Sequence, residues 1–237
     1  MEISIFKQIK NRVGQLIEPQ FLKAGKVLEV RNWVPATLIE IDLHLPAAGM
    51  SKWDAVPYIK FRVDNLCYRD YTPFGWDAET HTCTILIDAA HQGPGVRWAQ
   101  GLHQYDTIHY MAVDTTHHSP DPTRLVVGLG DASSVGHLLA LRQKTYPNTR
   151  FCGAALLPEP EHQWQLKDYF HSALQAVITD GQDGSQPLLE WVRGLGCCTE
   201  HTVFYLAGNH QLVSRLRSLL NAEGYGSAQI KVKGFWS

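Results

Sequence analysis

Apolar residues at Ile5, Ile9, Val13, Leu16 and Ile17 are spaced for one face of a helix over residues 3–22, with Pro19 limiting its extension. Beyond it the period shortens to that of strands. Lys26–Arg31 carries Val-Leu-Glu-Val, and Thr37–Leu45 places Leu38, Ile39, Ile41, Leu43 and Leu45 in close succession. Tyr58–Val63 alternates Ile59, Phe61 and Val63 against Lys60 and Arg62. Thr82–Asp88 and Thr107–Val113 complete the series. Short strands so closely spaced predict a barrel or a sandwich over roughly residues 20–115.

Asp114–Thr123 is polar, contains two prolines, and reads as a connection between domains. After it the pattern alternates. Strands are expected at Arg124–Gly128, Thr149–Leu157, Trp164–Gln165, Thr202–Ala207 and Ile230–Lys233, and Ala173–Thr179 suits a strand or a short helix. Helices are expected at Ser133–Lys144, Gln186–Arg193 and His210–Glu223. Such alternation implies a mostly parallel sheet covered by helices. The boundary is placed between residues 1–120 and 121–237.

Composition narrows the class. The 237 residues are 44% hydrophobic, enough for a sizeable core, and the net charge is -2. That balance gives no general reason to bind nucleic acid or an anionic membrane. Neither a signal peptide nor a membrane span is legible, and the five scattered cysteines read as reduced thiols, so a cytoplasmic, monomeric protein is expected. His117 and His118 with Asp114 and Asp121 are the densest group of metal-type ligands. Adjacent side chains in a polar connection define no closed coordination sphere, and no metal site is expected.

Three segments carry candidate chemistry. In Arg69-Asp70-Tyr71-Thr72-Pro73, an extended backbone would put Arg69 and Tyr71 on one side, a donor fork for phosphate beside a flat ring. The same residues also suit a surface loop with a structural arginine. His91-Gln92-Gly93-Pro94-Gly95-Val96-Arg97-Trp98-Ala99 follows a strand, and its glycine turn opens a short helix whose first amides could meet a pyrophosphate. It equally suits a turn that closes the barrel, with Trp98 a core residue. Gly128–Gly136 lies between a strand and a helix but lacks the Gly-x-Gly-x-x-Gly fingerprint, and Asp131, Ser133 and Ser134 can cap the helix.

These segments, with Val127-Gly128-Leu129-Gly130-Asp131-Ala132, Tyr205-Leu206-Ala207-Gly208-Asn209 and Val232-Lys233-Gly234-Phe235-Trp236, resemble the siderophore-interacting, FAD-binding reductases of the ferredoxin-reductase-like superfamily. The resemblance implies a flavin-binding β-barrel followed by an α/β nucleotide-binding-like domain. It implies that Arg69, Tyr71 and Thr72 hold the flavin ring and phosphates. It places His91, Gly93, Gly95, Val96, Arg97 and Trp98 around the diphosphate, and Trp236 in the same site. FAD bound non-covalently is favoured over FMN. The second domain would take NAD(P)H, or ferredoxin would serve as electron donor, and the reduced flavin would convert a ferric siderophore or chelate to Fe(II). No side chain need act as acid or base in the central step. Lys231 and Lys233 are candidates to dock an anionic chelate, or are solvated charges on an edge strand. The alternatives are an electron-transfer or interaction protein with no nicotinamide site of its own, and a general flavin or quinone reductase.

The chain departs from the family pattern in three places. Ala132 and Ser133 stand where Glu-Thr is usual, Asn209 where an acid is usual, and Ala112–His118 where a glycine-rich stretch is usual.

Overall fold

The computed structural model describes residues 22–145, 150–170, 174–179, 183–197 and 199–236. The expected N-terminal helix falls outside the described residues. The first domain is a seven-stranded antiparallel sheet. Its strands are β1 (Lys23–Asn32), β2 (Leu38–His44), β3 (Pro57–Asp64), β4 (Cys67–Tyr71), β5 (Phe74–Asp77), β6 (Thr82–Asp88) and β7 (Thr107–Thr115), ordered β4-β3-β7-β1-β2-β6-β5. The first and last members of that order are joined by Thr72 and Pro73 alone. Two edge strands so tied must lie close together, so the sheet curls round into a barrel shape with its seam at Thr72–Pro73. The ladder itself is not closed there among the described residues.

Alternation explains which residues fill the barrel. Along β3 the side chains of Ile59, Phe61 and Val63 are buried, with Lys60 and Arg62 between them half-buried. They pack with Ile39, Ile41, Leu43, Ile85, Ile87 and Tyr110. Each such side chain contributes about 1.5–3 kcal/mol by burial. β2 and β6 each also carry one buried apolar residue on the outward face, for a separate reason. Their outward residues Leu38 and Leu86 belong to a second core, shared with the other domain.

The second domain is a parallel sheet of β8 (Leu125–Asp131), β9 (Phe151–Leu157), β10 (Leu174–Ile178), β11 (Thr202–Asn209) and β12 (Ile230–Trp236), ordered β10-β9-β8-β11-β12. Beside α1 (Pro94–Gln100) in the first domain, the helices are α2 (Val135–Thr145), α3 (Glu161–Phe170), α4 (Ser185–Gly194) and α5 (His210–Ala222). Helices α2 and α3 pack on one face of the sheet, α4 and α5 on the other. Sheet order reverses at β8 and β11, the crevice where open α/β sheets place ligands.

Helix α2 is apolar nearly all round, with Val135 through Leu141 buried without interruption. A helix of that kind must be covered on all sides. Here the parallel sheet covers one side, and Phe74, Leu86, Leu38 and Trp33 of the first domain cover the other. The Gln143 side chain accepts from the Trp76 amide (3.3 Å) and donates to the Trp76 carbonyl (3.0 Å), which satisfies the backbone of edge strand β5. Lys144 donates to the Trp53 carbonyl (2.7 Å), and the Tyr205 hydroxyl to that of Ser119 (2.8 Å).

Three expectations are corrected. Trp164–Gln165 is not a strand but the middle of α3. Asp114–Thr123 is no free connection. Its Thr116 and His118 are buried, the Thr116 amide donates to the Val56 carbonyl (2.9 Å), and the Val56 amide donates to the His118 carbonyl (3.2 Å). Arg69–Tyr71 is part of strand β4 rather than a loop.

Candidate functional site

The barrel seam and the first turn of α2 enclose a cavity of about 560 Å³ between the domains. Pairing of β4 with β3 holds Arg69 opposite Phe61 and Tyr71 opposite Ile59. The extended backbone turns Arg69 and Tyr71 to one side, and both line the cavity with Thr72. His91, Gly93, Gly95 and Val96 line it from the turn that opens α1. The second domain supplies Ser133, Gly136, His137 and Phe235.

Arg69 is exposed. Its guanidinium donates to the Tyr68 carbonyl (2.7 Å) and lies 3.6 Å from Cys67 Sγ, and it pairs with no carboxylate among the described residues. It therefore keeps donor capacity for an anion in the cavity. Tyr71 stacks almost parallel on Trp98, ring centroids 6.1 Å apart, and burial pushes its phenol up to about 12.

The two glycines of the turn have different jobs. A Cβ at Gly95 would overlap the Tyr71 hydroxyl, so this glycine lets the ring pack against α1. A Cβ at Gly93 would meet nothing closer than the His91 ring at 4.0 Å, and the Gly93 backbone is extended, which any residue adopts. Folding does not require a glycine at 93. The open space belongs to the cavity.

Two of the expected residues are elsewhere. Arg97 is exposed on α1 away from the cavity. Trp98 packs behind Tyr71, 5.7 Å from the Phe61 ring, and its remaining surface faces a separate hollow with Arg62 and His109. The side chain of Trp236 lies outside the described residues, while its backbone pairs with Asn209. Lys231 is exposed on the edge strand β12. Lys233 is half-buried, its ammonium 4.8 Å from the Tyr58 ring centre across the domain boundary.

Sequence reasoning missed Phe235 and His137 as cavity residues. Phe235 is 37% exposed on the cavity wall, as a residue that waits for an apolar partner would be. His137 sits in an apolar helix with no local motif to mark it. Its Nε2 lies 2.9 Å from Nδ1 of His118, and both rings are buried. Burial lowers His118 to about 4 and His137 well below the ordinary imidazole range.

A second hollow, about 380 Å³, lies beyond the carboxyl ends of β8–β11 and meets the first at Asp88. Asp131, at the end of β8, accepts from Ser133 Oγ (2.5 Å) and from the Asn209 amide (2.6 Å). Burial raises its pKa against those two bonds. A Cβ on Gly208, where φ is 121°, would sit 2.5 Å from the Asp131 carboxylate. Asn209 Oδ1 caps the Gln211 and Leu212 amides of α5. Asp183 holds Arg215 (2.7 Å) at the rim.

Residues 123–237 match the family model described as siderophore-interacting protein. That match spans the second domain, just under half of the chain. No curated protein matches the chain in sequence. Among solved structures it is similar to the siderophore-interacting protein from Acinetobacter baumannii, at 16% identity, 91% of this chain, 90% of that chain and a TM-score of 0.74. It is likewise similar to the siderophore-interacting protein SipS from Aeromonas hydrophila, at 16% identity, 91% of each chain and a TM-score of 0.71. Phthalate dioxygenase reductase, which carries electrons from pyridine nucleotides to [2Fe-2S], is similar at 11% identity, 92% of this chain, 69% of that chain and a TM-score of 0.73. At such identities the likeness is one of fold. An antiparallel, barrel-like domain followed by a parallel α/β domain is the ferredoxin-reductase-like arrangement of fold. Among the described residues, no helix is long and apolar enough to cross a membrane, and no three His, Cys, Asp or Glu side chains converge as metal ligands.

Proposed function

We propose that the chain is a flavin-dependent oxidoreductase that holds FAD in the interdomain cavity and passes electrons to a ferric siderophore or another ferric chelate, releasing Fe(II). The observation that carries this reading is the joint wall of the cavity. Arg69, Tyr71 and Thr72 of the seam face Gly136, His137 and Phe235 of the siderophore-interacting domain across one space. The residues present fit the cofactor. An arginine without a carboxylate partner and an uncovered Gly93 suit a diphosphate, while Tyr71, Phe235 and the apolar Leu86, Ile87 and Val96 suit a flat ring. When bound, the flavin supplies hydride acceptance and one-electron transfer. The chain's own part is to position the ring at the domain seam and to keep water from it. Lys231, exposed on the edge of β12, offers positive charge to an anionic chelate. Lys233 is turned onto Tyr58 and contributes less to such docking.

One observation favours a donor other than a bound pyridine nucleotide. Asp131 places the chain's own carboxylate at the switch point, cradled by Gly208, and Asn209 occupies the first amides of α5. Asp88 adds a second carboxylate there, so the hollow is less favourable to a diphosphate, with Arg215 answering Asp183 at the rim. Reduced ferredoxin, or another protein carrier, then becomes the donor.

Anaerobic stopped-flow mixing of the FAD-loaded protein with NADH, NADPH or reduced ferredoxin tests both points. Bleaching by one donor is expected, followed by re-oxidation on a ferric siderophore with Fe(II) captured by a chelator. Flavin that stays oxidised with all three donors refutes the reductase, and re-oxidation by quinone alone replaces it with a quinone reductase. For Arg69→Ala, FAD affinity should fall roughly 10- to 100-fold, from the 1.5–3 kcal/mol of a charged hydrogen bond. An unchanged dissociation constant by fluorescence titration removes Arg69 from the site.

A further inference from the structure

Helix α2 brings an imidazole to the ring end of the cavity, and the interdomain segment backs it with another. His137 Nε2 and His118 Nδ1 are 2.9 Å apart, with the rings nearly perpendicular at 78°. Tyr205 closes over His118 at 5.2 Å, and Phe235 over His137 at 5.6 Å. Both histidines are at least 98% buried. His137 lines the cavity, and its Nδ1 has no hydrogen-bond partner in the protein and is itself covered from water, with the Phe235 ring against the imidazole.

One proton lies between the two rings, and the surroundings indicate its side. The Val232 carbonyl favours a proton on His118, although no full hydrogen bond forms at Nε2. With His137 engaged at Nδ1, that proton belongs on Nε2 of His118. His118 Nδ1 is then an acceptor, His137 donates from Nε2, and Nδ1 of His137 is left as a bare acceptor. The charges around the pair keep it neutral at rest. Lys231 and Lys233 on β12 and His117 in the connecting segment all act against a further proton. Asp114 on β7 lies nearer to Lys233 and His117, and Asp88, Arg69 and His91 stand on the far wall of the cavity.

We propose that His137, backed by His118, is the proton-accepting group of the flavin cavity, its Nδ1 first taking a hydrogen bond from the ligand side and then a solvent proton when the cavity gains negative charge. The proposal rests on the flavin reading above. Two electrons from the donor, with one proton carried as hydride or taken from solvent, would leave the bound ring with one added negative charge. A second proton, from solvent, then binds Nδ1 of His137. The proton on His137 Nε2 can shift to His118 Nδ1, so the imidazolium charge is spread over both rings. No covalent bond in the chain breaks except these N–H exchanges.

The midpoint potential of the bound flavin, followed by spectroelectrochemistry from pH 6 to 9, tests this. The wild-type chain should take up two protons per two electrons over most of that range. His137→Phe should take up one, so the slope of potential against pH halves, and its affinity for reduced flavin should fall 10-fold or more while affinity for oxidised flavin changes less than threefold. His118→Gln, which keeps a hydrogen-bonding side chain behind His137, should give an intermediate slope. In the wild-type protein itself, ¹⁵N ring shifts of His137 should move from neutral imidazole to imidazolium on reduction. This readout holds if the variants do not fold. Equal slopes in wild type and variants, or a His137 ring that stays neutral, overturn the proposal while flavin binding stands. A wild-type chain that binds no flavin overturns the underlying reading together with it.

Discussion

Gly93→Val should lose roughly 10- to 100-fold in FAD affinity with little change in stability, because only the bound cofactor meets the added side chain. An overpacked contact typically costs about 1–3 kcal/mol, and each 1.4 kcal/mol is tenfold in affinity. In the protein alone the space at Gly93 is open to 4.0 Å and the backbone is unstrained for valine. The neighbouring Gly95→Ala is the contrasting control. Its Cβ overlaps the Tyr71 hydroxyl, so it should lower stability and affinity together. Fluorescence titration with FAD beside urea unfolding separates the two. Wild-type affinity in Gly93→Val would take the α1 turn out of the cofactor site.

The buried histidines should make the protein acid-sensitive well above the range of ordinary carboxylates. His118 falls from the usual imidazole value to about 4 in the folded state, chiefly by burial. The unfolded chain therefore binds the proton first as pH falls. Stability is fully present above the unfolded value near 6.5 and is lost progressively toward pH 4. One group shifted this far contributes about 3 kcal/mol, at 1.36 kcal/mol per pKa unit. His137 is lowered in the same direction, so its contribution has the same sign. Urea midpoints measured from pH 7.5 to 4.5 should fall steeply, and the double variant His118→Phe/His137→Leu should flatten the curve. A wild-type curve flat across that window would show the pair to be protonated, or exposed, in solution.

What could be read from the sequence was what local pattern encodes. The alternation of Ile59, Phe61 and Val63 marked β3, and Leu212, Val213, Leu216 and Leu220 marked α5. The seam residues Arg69, Tyr71 and Thr72 were legible through motif and resemblance, and the structure brings them onto one wall. Trp164–Gln165 misled because two residues cannot distinguish a strand from part of a turn of an exposed helix, and Trp164 is 63% exposed on α3. Arg97 and Trp98 do not line the cavity with the other expected residues because a seven-residue helix turns successive side chains to different sides, which a linear motif cannot convey. His137 left no signal, since its partner His118 lies across a domain boundary. His118 itself lies in a segment whose sequence is that of a solvated connection, and its backbone bond to Val56 keeps it buried.

The core shared through α2 bears on how electrons travel. Leu38 and Leu86 of the barrel-like domain and Leu138 and Leu141 of the second domain are buried in one cluster. Parting the two halves would expose that cluster to water, at about 1.5–3 kcal/mol for each large side chain. The two walls of the cavity are therefore set in a frame without a hinge, and the spacing of Tyr71 and Phe235 across it is fixed by packing. On the proposed function, turnover in such a frame would depend on donor and acceptor reaching the cavity rather than on a lid that opens and shuts.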